Sequence, residues 1–311
     1  MNKIAIVFPG QASQYVGMGK DLYESSAEIR KLYDLASHLI GEDIGKLSFE
    51  GPAEKIKETR YTQPAILLHS LAVLTILKEG LPKIDLTAGH SLGEYGSLAL
   101  AGVLSFEDSI RAVVKRAALM EEACRNNPGT MAAIIGLEEE KIIEVCKNAS
   151  AKGVVVPANL NSSNQIVISG SLAGIDEACR LCKEAGAKRA MVLPVGGAFH
   201  SPLMETAKSQ MGAFLDTLTF SVPKVKIIPN VTGEPTGEVS DIKRLLVEQI
   251  TSPVRWYQTM KYMSDSGVTT VIEVGPGKVL TGMAKREIEA AQMINLDTLA
   301  DIESFNNILA G

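Results

Sequence analysis

Cysteine is scarce in this sequence: four occur among 311 residues, Cys124, Cys146, Cys179 and Cys182. So sparse a set excludes a disulfide scaffold and fits a reducing cytosol. Cys179 and Cys182 are spaced Cys-x-x-Cys, but no second pair has zinc-ligand spacing and the pair falls in a helical pattern, so it reads as helix packing. No other metal constellation appears, and no metal site is expected. Positive charge is also in deficit: 31 Lys and Arg stand against 36 Asp and Glu, for a net charge of −5. Without a basic excess to track phosphates, a nucleic-acid partner is not expected. Long apolar runs are missing too. The longest, 64–77, is shorter than a membrane span and is interrupted by His69, Ser70 and Thr75. The N-terminal run Ile4–Phe8 stops at Pro9-Gly10, too early for a signal sequence. Gly275-Pro276-Gly277-Lys278 lacks the spacing and the Ser/Thr of a phosphate-binding loop. A cytoplasmic protein with no membrane association and no tightly bound cofactor is the expectation.

Hydrophobic residues make up 46% of the chain, ample for a sizeable core in one large domain or a large one with a smaller partner. Ile4–Phe8 is a continuous apolar run ending in Pro-Gly, the pattern of a strand buried on both faces. Helical patterns follow around 21–40 and 64–79, then a strand at 84–88 and a helix at 92–101. Ser105-Phe106-Glu107-Asp108 is a capping-box signature opening a helix to about Cys124, with Ile110, Val113, Val114, Ala117 and Cys124 as its buried stripe. Strands alternating with helices predict an α/β fold with a mainly parallel sheet.

From 130 to 197 the pattern changes. Strands at 130–135, 153–157, 165–169 and 189–195 and helices at 138–149 and 173–185 give the order βαββαβ, that of a ferredoxin-like subdomain. Asn127-Pro128-Gly129 and Gly196-Gly197 bracket it as hinges. The predicted organisation is a large α/β-hydrolase-like catalytic domain, residues 1–128 and 198–311, interrupted by a ferredoxin-like subdomain at 129–197. Strands near 226–229 and 269–274 return the chain to the large domain.

Gly89-His90-Ser91-Leu92-Gly93 fits Gly-x-Ser-x-Gly between a predicted strand and a predicted helix, the setting that exposes a nucleophilic serine. The alternative is an ordinary strand–helix turn. A helix starting at Leu92 aims free N–H groups and its positive dipole end at that spot, so the Leu92 N–H can bind an oxyanion. A serine hydroxyl needs a base, and four histidines are available. His38 and His69 sit in helical patterns, and the His90 side chain should point away from that of Ser91. His200 lies in the glycine-rich loop Gly196-Gly197-Ala198-Phe199-His200-Ser201-Pro202, where such groups concentrate, although a surface or capping histidine has the same look. No third acid is evident; Glu205 is near only in sequence, and a backbone carbonyl could equally fix the imidazole tautomer. On a helical wheel Arg116 falls opposite Arg111, Lys115 and Glu122, between Ala112 and Met120. It is therefore either a ligand for an anion or half of a buried ion pair.

At this point the chain resembles the malonyl-CoA:acyl carrier protein transacylases of fatty-acid synthesis and the acyltransferase domains of polyketide synthases. Phe8-Pro9-Gly10-Gln11-Ala12-Ser13-Gln14, Gly89-His90-Ser91-Leu92-Gly93-Glu94, Ala198-Phe199-His200-Ser201-Pro202-Leu203-Met204 and Glu273-Val274-Gly275-Pro276-Gly277 match in order along essentially the whole sequence. The resemblance implies that Ser91 is acylated, that His200 is its base, and that the N–H groups of Gln11 and Leu92 form the oxyanion hole. It implies that the Gln249 carbonyl orients His200 and that Arg116 binds the free carboxylate of malonyl. Met120, Phe199 and Asn159 would line the acyl pocket, with Phe199 favouring malonyl over methylmalonyl or serving only as core packing. Asn159 and Asn161 either hydrogen-bond near the site or shape a turn. Malonyl-CoA, CoA and an acyl carrier protein are the implied partners of a monomer, with the carrier on Lys183, Lys188 and Arg189 or on Lys285 and Arg286. One departure is visible: Ala12 stands where the family usually has glycine, which should restrict the loop to ordinary φ values. Two rivals remain. A serine esterase or thioesterase would need an acid between Ser91 and His200, where Asp108 and Asp176 follow no convincing strand. A trans-acting polyketide acyltransferase shares every motif.

Overall fold

The computed structural model describes residues 3–77, 80–289 and 291–310. The last two residues of the predicted 64–79 helix lie outside them. Among the described residues nine strands run in chain order as β1 (Ile4–Phe8), β2 (Leu86–Gly89), β3 (Gly129–Ile135), β4 (Val155–Ser162), β5 (Gln165–Ser171), β6 (Arg189–Val192), β7 (Lys226–Ile228), β8 (Thr270–Val274) and β9 (Gln292–Leu296). They form two sheets, β7-β2-β1-β8-β9 and β4-β5-β3-β6.

The first sheet is parallel throughout, and β1 lies at its centre between β2 and β8. That position explains the unbroken apolar run of β1: a central strand covered on both faces has no side on which to place a polar residue. Helices Thr59–Ile76, Phe106–Asn126, Trp256–Asp265 and Val279–Glu287 contribute to the two cores that flank it. Strand order reverses direction between β1 and β8, which opens a crevice at the carboxyl ends of the central strands. The loop after β1 and the turn after β2 both empty into it. The predicted capping box is present, since Ser105 Oγ accepts the Asp108 N–H at 3.0 Å. The predicted 92–101 helix is divided into a 3-10 turn, Ser91–Gly93, and the helix Glu94–Leu100.

The second sheet is antiparallel and follows the order βαββαβ, with helices Glu139–Ala149 and Leu172–Glu184. Period-two alternation splits β3 between two cores. Ala132 and Ile134 pack under these helices with Ile142, Val145, Ile175 and Ala178, whereas Met131 and Ala133 join the main core beside Met120 and Phe199. Cys146, Cys179 and Cys182 are free thiols buried in the helix-side core. Burial pushes Cys146 up to about 12 and Cys182 to about 11, so both stay protonated and pack as small apolar groups. The outer strand β4 is covered by the large sheet's chain: Leu160 N–H donates to Val254 O at 2.9 Å and Val254 N–H to Ala158 O at 2.8 Å. Among the described residues, no helix is long and apolar enough to cross a membrane.

The turn after β2 depends on close approach. A Cβ on Gly93 would lie 2.2 Å from the Phe8 carbonyl oxygen, so the helix that follows Ser91 rests directly on the β1 backbone. Gly93→Ala is expected to cost about 3 kcal/mol or more of stability, because rigid backbone must move to admit the methyl. A urea midpoint equal to wild type would contradict this packing.

Candidate active site

Ser91 follows β2 at the entrance to the 3-10 turn and takes φ +53°. A β-carbon residue in this left-handed region carries strain of order 1–3 kcal/mol, so its surroundings must hold it there. Its Oγ lies 2.8 Å from His200 Nε2, and His200 Nδ1 lies 2.8 Å from the backbone oxygen of Gln249. With the Nδ1 proton donated to that carbonyl, Nε2 keeps its lone pair toward the serine hydroxyl. His200 is 2% exposed; desolvation first, and then the charge of Arg116, lower it from 6.5 to about 3. It is a neutral imidazole at neutral pH. None of Glu205, Asp108 and Asp176 is a hydrogen-bond partner of His200; Glu205 is exposed and faces Lys208 at 3.7 Å.

Arg116 enters from the Phe106–Asn126 helix and is 1% exposed. Its Nη1 donates to Gln63 Oε1 at 2.6 Å, and its Nη2 to Gln249 Oε1 at 2.8 Å and to Ser91 Oγ at 3.1 Å. The ion-pair alternative for this residue is not realised: among the described residues no carboxylate lies within ion-pair distance of Arg116, and its Nε is buried without a partner. Two neutral carboxamides thus hold a desolvated cation against Ser91 Oγ. Such a group strongly favours an arriving carboxylate.

Ser91 and His200 border a cavity of about 240 Å³ that reaches the surface. Gln11, Leu92, Met120, Asn159 and Phe199 line it. Phe199 also belongs to the main core, so the packing and the lining readings both hold. Asn161 lines the cavity and pairs with His90 Nε2 at 2.9 Å. The His90 ring stands edge-on to Trp256, with ring centroids 5.6 Å apart, and His90 also lines the cavity. Lys183, Lys188, Arg189, Lys285 and Arg286 are exposed and do not line the cavity; Val279 and Met283, from the helix that carries Lys285 and Arg286, do.

The expectation for Ala12 is corrected: the residue takes φ +83° rather than an ordinary value. The loop's own hydrogen bonds hold it there, with Ala12 N–H donating to Gln14 Oε1 at 2.8 Å and Ser13 Oγ to Gly10 O at 2.8 Å.

Three residues escaped the sequence reading. Gln63 bonds Arg116 as described. Asn230 is fully buried; its Oδ1 accepts the Ser91 N–H at 2.6 Å and its Nδ2 donates to Gly89 O at 2.6 Å. Glu94, 1% exposed, accepts from Gln249 Nε2 at 2.8 Å and from the Asn230 N–H at 3.1 Å. Gln249 Nε2 also donates to Ser91 O at 2.9 Å. Desolvation pushes Glu94 up from 4.5 to about 7 against the lowering effect of these bonds. Glu94 stood inside a motif already quoted, and Asn230 directly follows a predicted strand. Nothing local marks Gln63.

The acyl transferase domain family matches residues 5–302. A malonyl CoA-acyl carrier protein transacylase of Haemophilus influenzae is 43% identical over 310 residues, 99% of this chain and 98% of that protein. Its namesake in Bacillus subtilis is 45% identical over 287 residues, 92% of this chain and 90% of that one. Among solved structures, an acyl carrier protein S-malonyltransferase from Vibrio cholerae superposes with a TM-score of 0.92 at 42% identity, covering 98% of this chain and 100% of that one. A malonyl-transacylase solved in complex with its type II polyketide acyl carrier protein superposes with a TM-score of 0.93 at 37% identity, covering 99% and 100%.

The buried titratable groups predict a measurable pH effect. Glu94 releases its proton near 4.5 when unfolded and near 7 in the fold, so its contribution to stability is lost as pH rises between them. His200 works in the opposite sense: 6.5 unfolded and about 3 folded, its contribution is lost as pH falls. Between pH 4.5 and 6.5 the two slopes oppose, each up to roughly 1 kcal/mol per pH unit. Glu94→Gln removes the first. Its stability relative to wild type should fall by roughly 1 kcal/mol per unit as pH is lowered across this window in urea titrations. A difference that stays constant with pH would rule out a buried, proton-binding Glu94.

Proposed function

The chain belongs to the acyl transferase domain family, and from that premise we propose that it transfers malonyl from malonyl-CoA to the phosphopantetheine thiol of an acyl carrier protein through a malonyl-serine intermediate. The observation that carries this reading is Arg116: a buried guanidinium, 3.1 Å from Ser91 Oγ and lacking a carboxylate partner, suits an acyl group with a free carboxylate.

His200 takes the Ser91 proton as Oγ attacks the malonyl thioester. The N–H groups of Gln11 and Leu92 receive the oxyanion, and the CoA thiolate leaves with the proton from His200. The carrier thiol then gives its proton to His200 and attacks the ester; the bond between Ser91 Oγ and the acyl carbon breaks, Oγ takes the proton back from His200, and the malonyl thioester departs, which makes the kinetics ping-pong. Arg116 fixes the malonyl carboxylate throughout, exchanging its bond to Ser91 Oγ for bonds to substrate. The Gln249 carbonyl stabilises the imidazolium without supplying a charge. Met120, Asn159 and Phe199 bound the acyl group. The hydrolase rival loses ground because no acid stands behind His200.

The same reading includes finer points. Residues 129–197 form a ferredoxin-like subdomain, supported by the βαββαβ order and by the placing of its four strands second-third-first-fourth across the sheet. Residues 1–128 and 198–311 form the catalytic unit, hydrolase-like in its strand–serine–helix corner. The protein acts as a cytoplasmic monomer with no tightly bound cofactor and supplies fatty-acid elongation. Its carrier docks on the exposed cations of the subdomain or on Lys285 and Arg286.

Intact-protein mass after brief exposure to malonyl-CoA should show a malonyl adduct on wild type and none on Ser91→Ala, and holo-carrier should discharge it faster than water does. An adduct lost equally fast without carrier would identify a hydrolase. Arg116→Ala should depress malonyl transfer by a factor on the order of 100 while sparing acetyl transfer. Equal losses for both acyl groups would make Arg116 a structural residue.

A further inference from the structure

The parallel ladder between β2 and β7 ends where the chemistry begins. Its last backbone pair is Ala88 with Ile228, after which β7 meets Pro229, which has no N–H to donate. The next rung would face His90, accepting from the Ser91 N–H and donating to the Gly89 carbonyl. The carboxamide of Asn230 makes both of these bonds at 2.6 Å. A side chain therefore stands in for a peptide group and clamps both flanks of the turn that holds Ser91 at φ +53°. Asn230 is itself fixed, since its backbone N–H donates to Glu94 Oε2, the oxygen that also accepts from Gln249 Nε2.

We propose that Asn230, anchored by Glu94, is a positioning residue for the transfer reaction: it continues the β2–β7 ladder through its side chain and thereby aims Ser91 Oγ at the acyl carbonyl and at His200. The inference rests on Ser91 being the acylated residue. The Asn230 side chain bonds backbone atoms of the turn, Asn230 is not among the residues lining the cavity, and it bonds neither Ser91 Oγ nor His200. Its loss should lower the rate of Ser91 attack without weakening substrate binding, and should do so for any electrophile that reacts at Ser91.

The test compares Asn230→Ala, Asn230→Asp, Glu94→Ala and Glu94→Gln with wild type. Steady-state malonyl transfer, the burst of malonyl-enzyme in rapid quench, labelling by an uncharged fluorophosphonate, and circular dichroism are measured on each. Asn230→Ala should lower kcat, the burst rate and the labelling rate together by about 100-fold, the cost typical of an ångström-scale misplacement, with KM for malonyl-CoA within about threefold of wild type. Glu94→Gln keeps an acceptor oxygen for Asn230 and should stay within about threefold, whereas Glu94→Ala should lose at least about tenfold. A folded Asn230→Ala enzyme with unchanged kcat, or with only KM altered, overturns the proposal. If Asn230→Ala does not fold, Asn230→Asp decides. It keeps the Ser91 acceptor but sets an oxygen against the Gly89 carbonyl, and a loss of about tenfold in labelling supports the proposal while a wild-type rate overturns it. Wild type that takes neither malonyl nor fluorophosphonate on Ser91 would instead refute the acyl-serine reading itself.

Discussion

Gln249 is the contact on which the rest of the site depends. Its backbone oxygen receives His200 Nδ1, its side-chain oxygen receives Arg116, and its side-chain nitrogen bridges Ser91 O and Glu94. A residue that orients the base through a carbonyl brings dipoles and no net charge. An aspartate in its place would lie against Arg116 and pair with it, and an incoming carboxylate would then find its counter-charge already satisfied. The missing acid and the unpaired arginine are therefore two sides of one arrangement: His200 is held by a neutral group, and the neighbouring cation keeps its charge free for an incoming anion.

Desolvation gives these groups their protonation states. Buried beside a guanidinium, His200 is held neutral and ready to accept a proton, even though no carboxylate supports it. The same desolvation raises Glu94 toward neutrality, where it serves as an acceptor for two N–H groups more than as a charge. The low dielectric that strengthens each hydrogen bond here also makes any orphaned donor costly, so the network tolerates loss of a partner poorly.

Much of the fold was legible because it is written locally. The apolar run of β1, the capping box at Ser105 and the βαββαβ alternation each occupy a short stretch of sequence, and their boundaries moved by only a few residues. Arg116 was legible as a wheel anomaly, and Ser91 and His200 as motif residues in suitable loops. Asn230, Gln63 and the side-chain role of Gln249 were not. Asn230 meets Ser91 across 139 residues, Gln249 meets it across 158, and Gln63 meets Arg116 across 53. The first meeting requires β7 to lie beside β2 and the last requires two helices to pack side by side, and neither arrangement leaves a mark in local periodicity. Ala12 was misread for a related reason, since residue preference alone does not register the side-chain and loop hydrogen bonds that hold an alanine at positive φ.

The stitch between β4 and Val254 has a mechanical consequence. The glycines and proline at 127–129 and 196–197 look like pivots, but the antiparallel sheet is tied by Leu160 and Ala158 to the short segment that follows Gln249. For that sheet to swing away, these two bonds must break or the segment after Gln249, whose carbonyl accepts from His200, must move with it. Met283, a half-buried flexible thioether that lines the cavity, can change rotamer to admit a long thiol arm without disturbing that tie. The stitch favours a slot of fixed width over a hinged jaw.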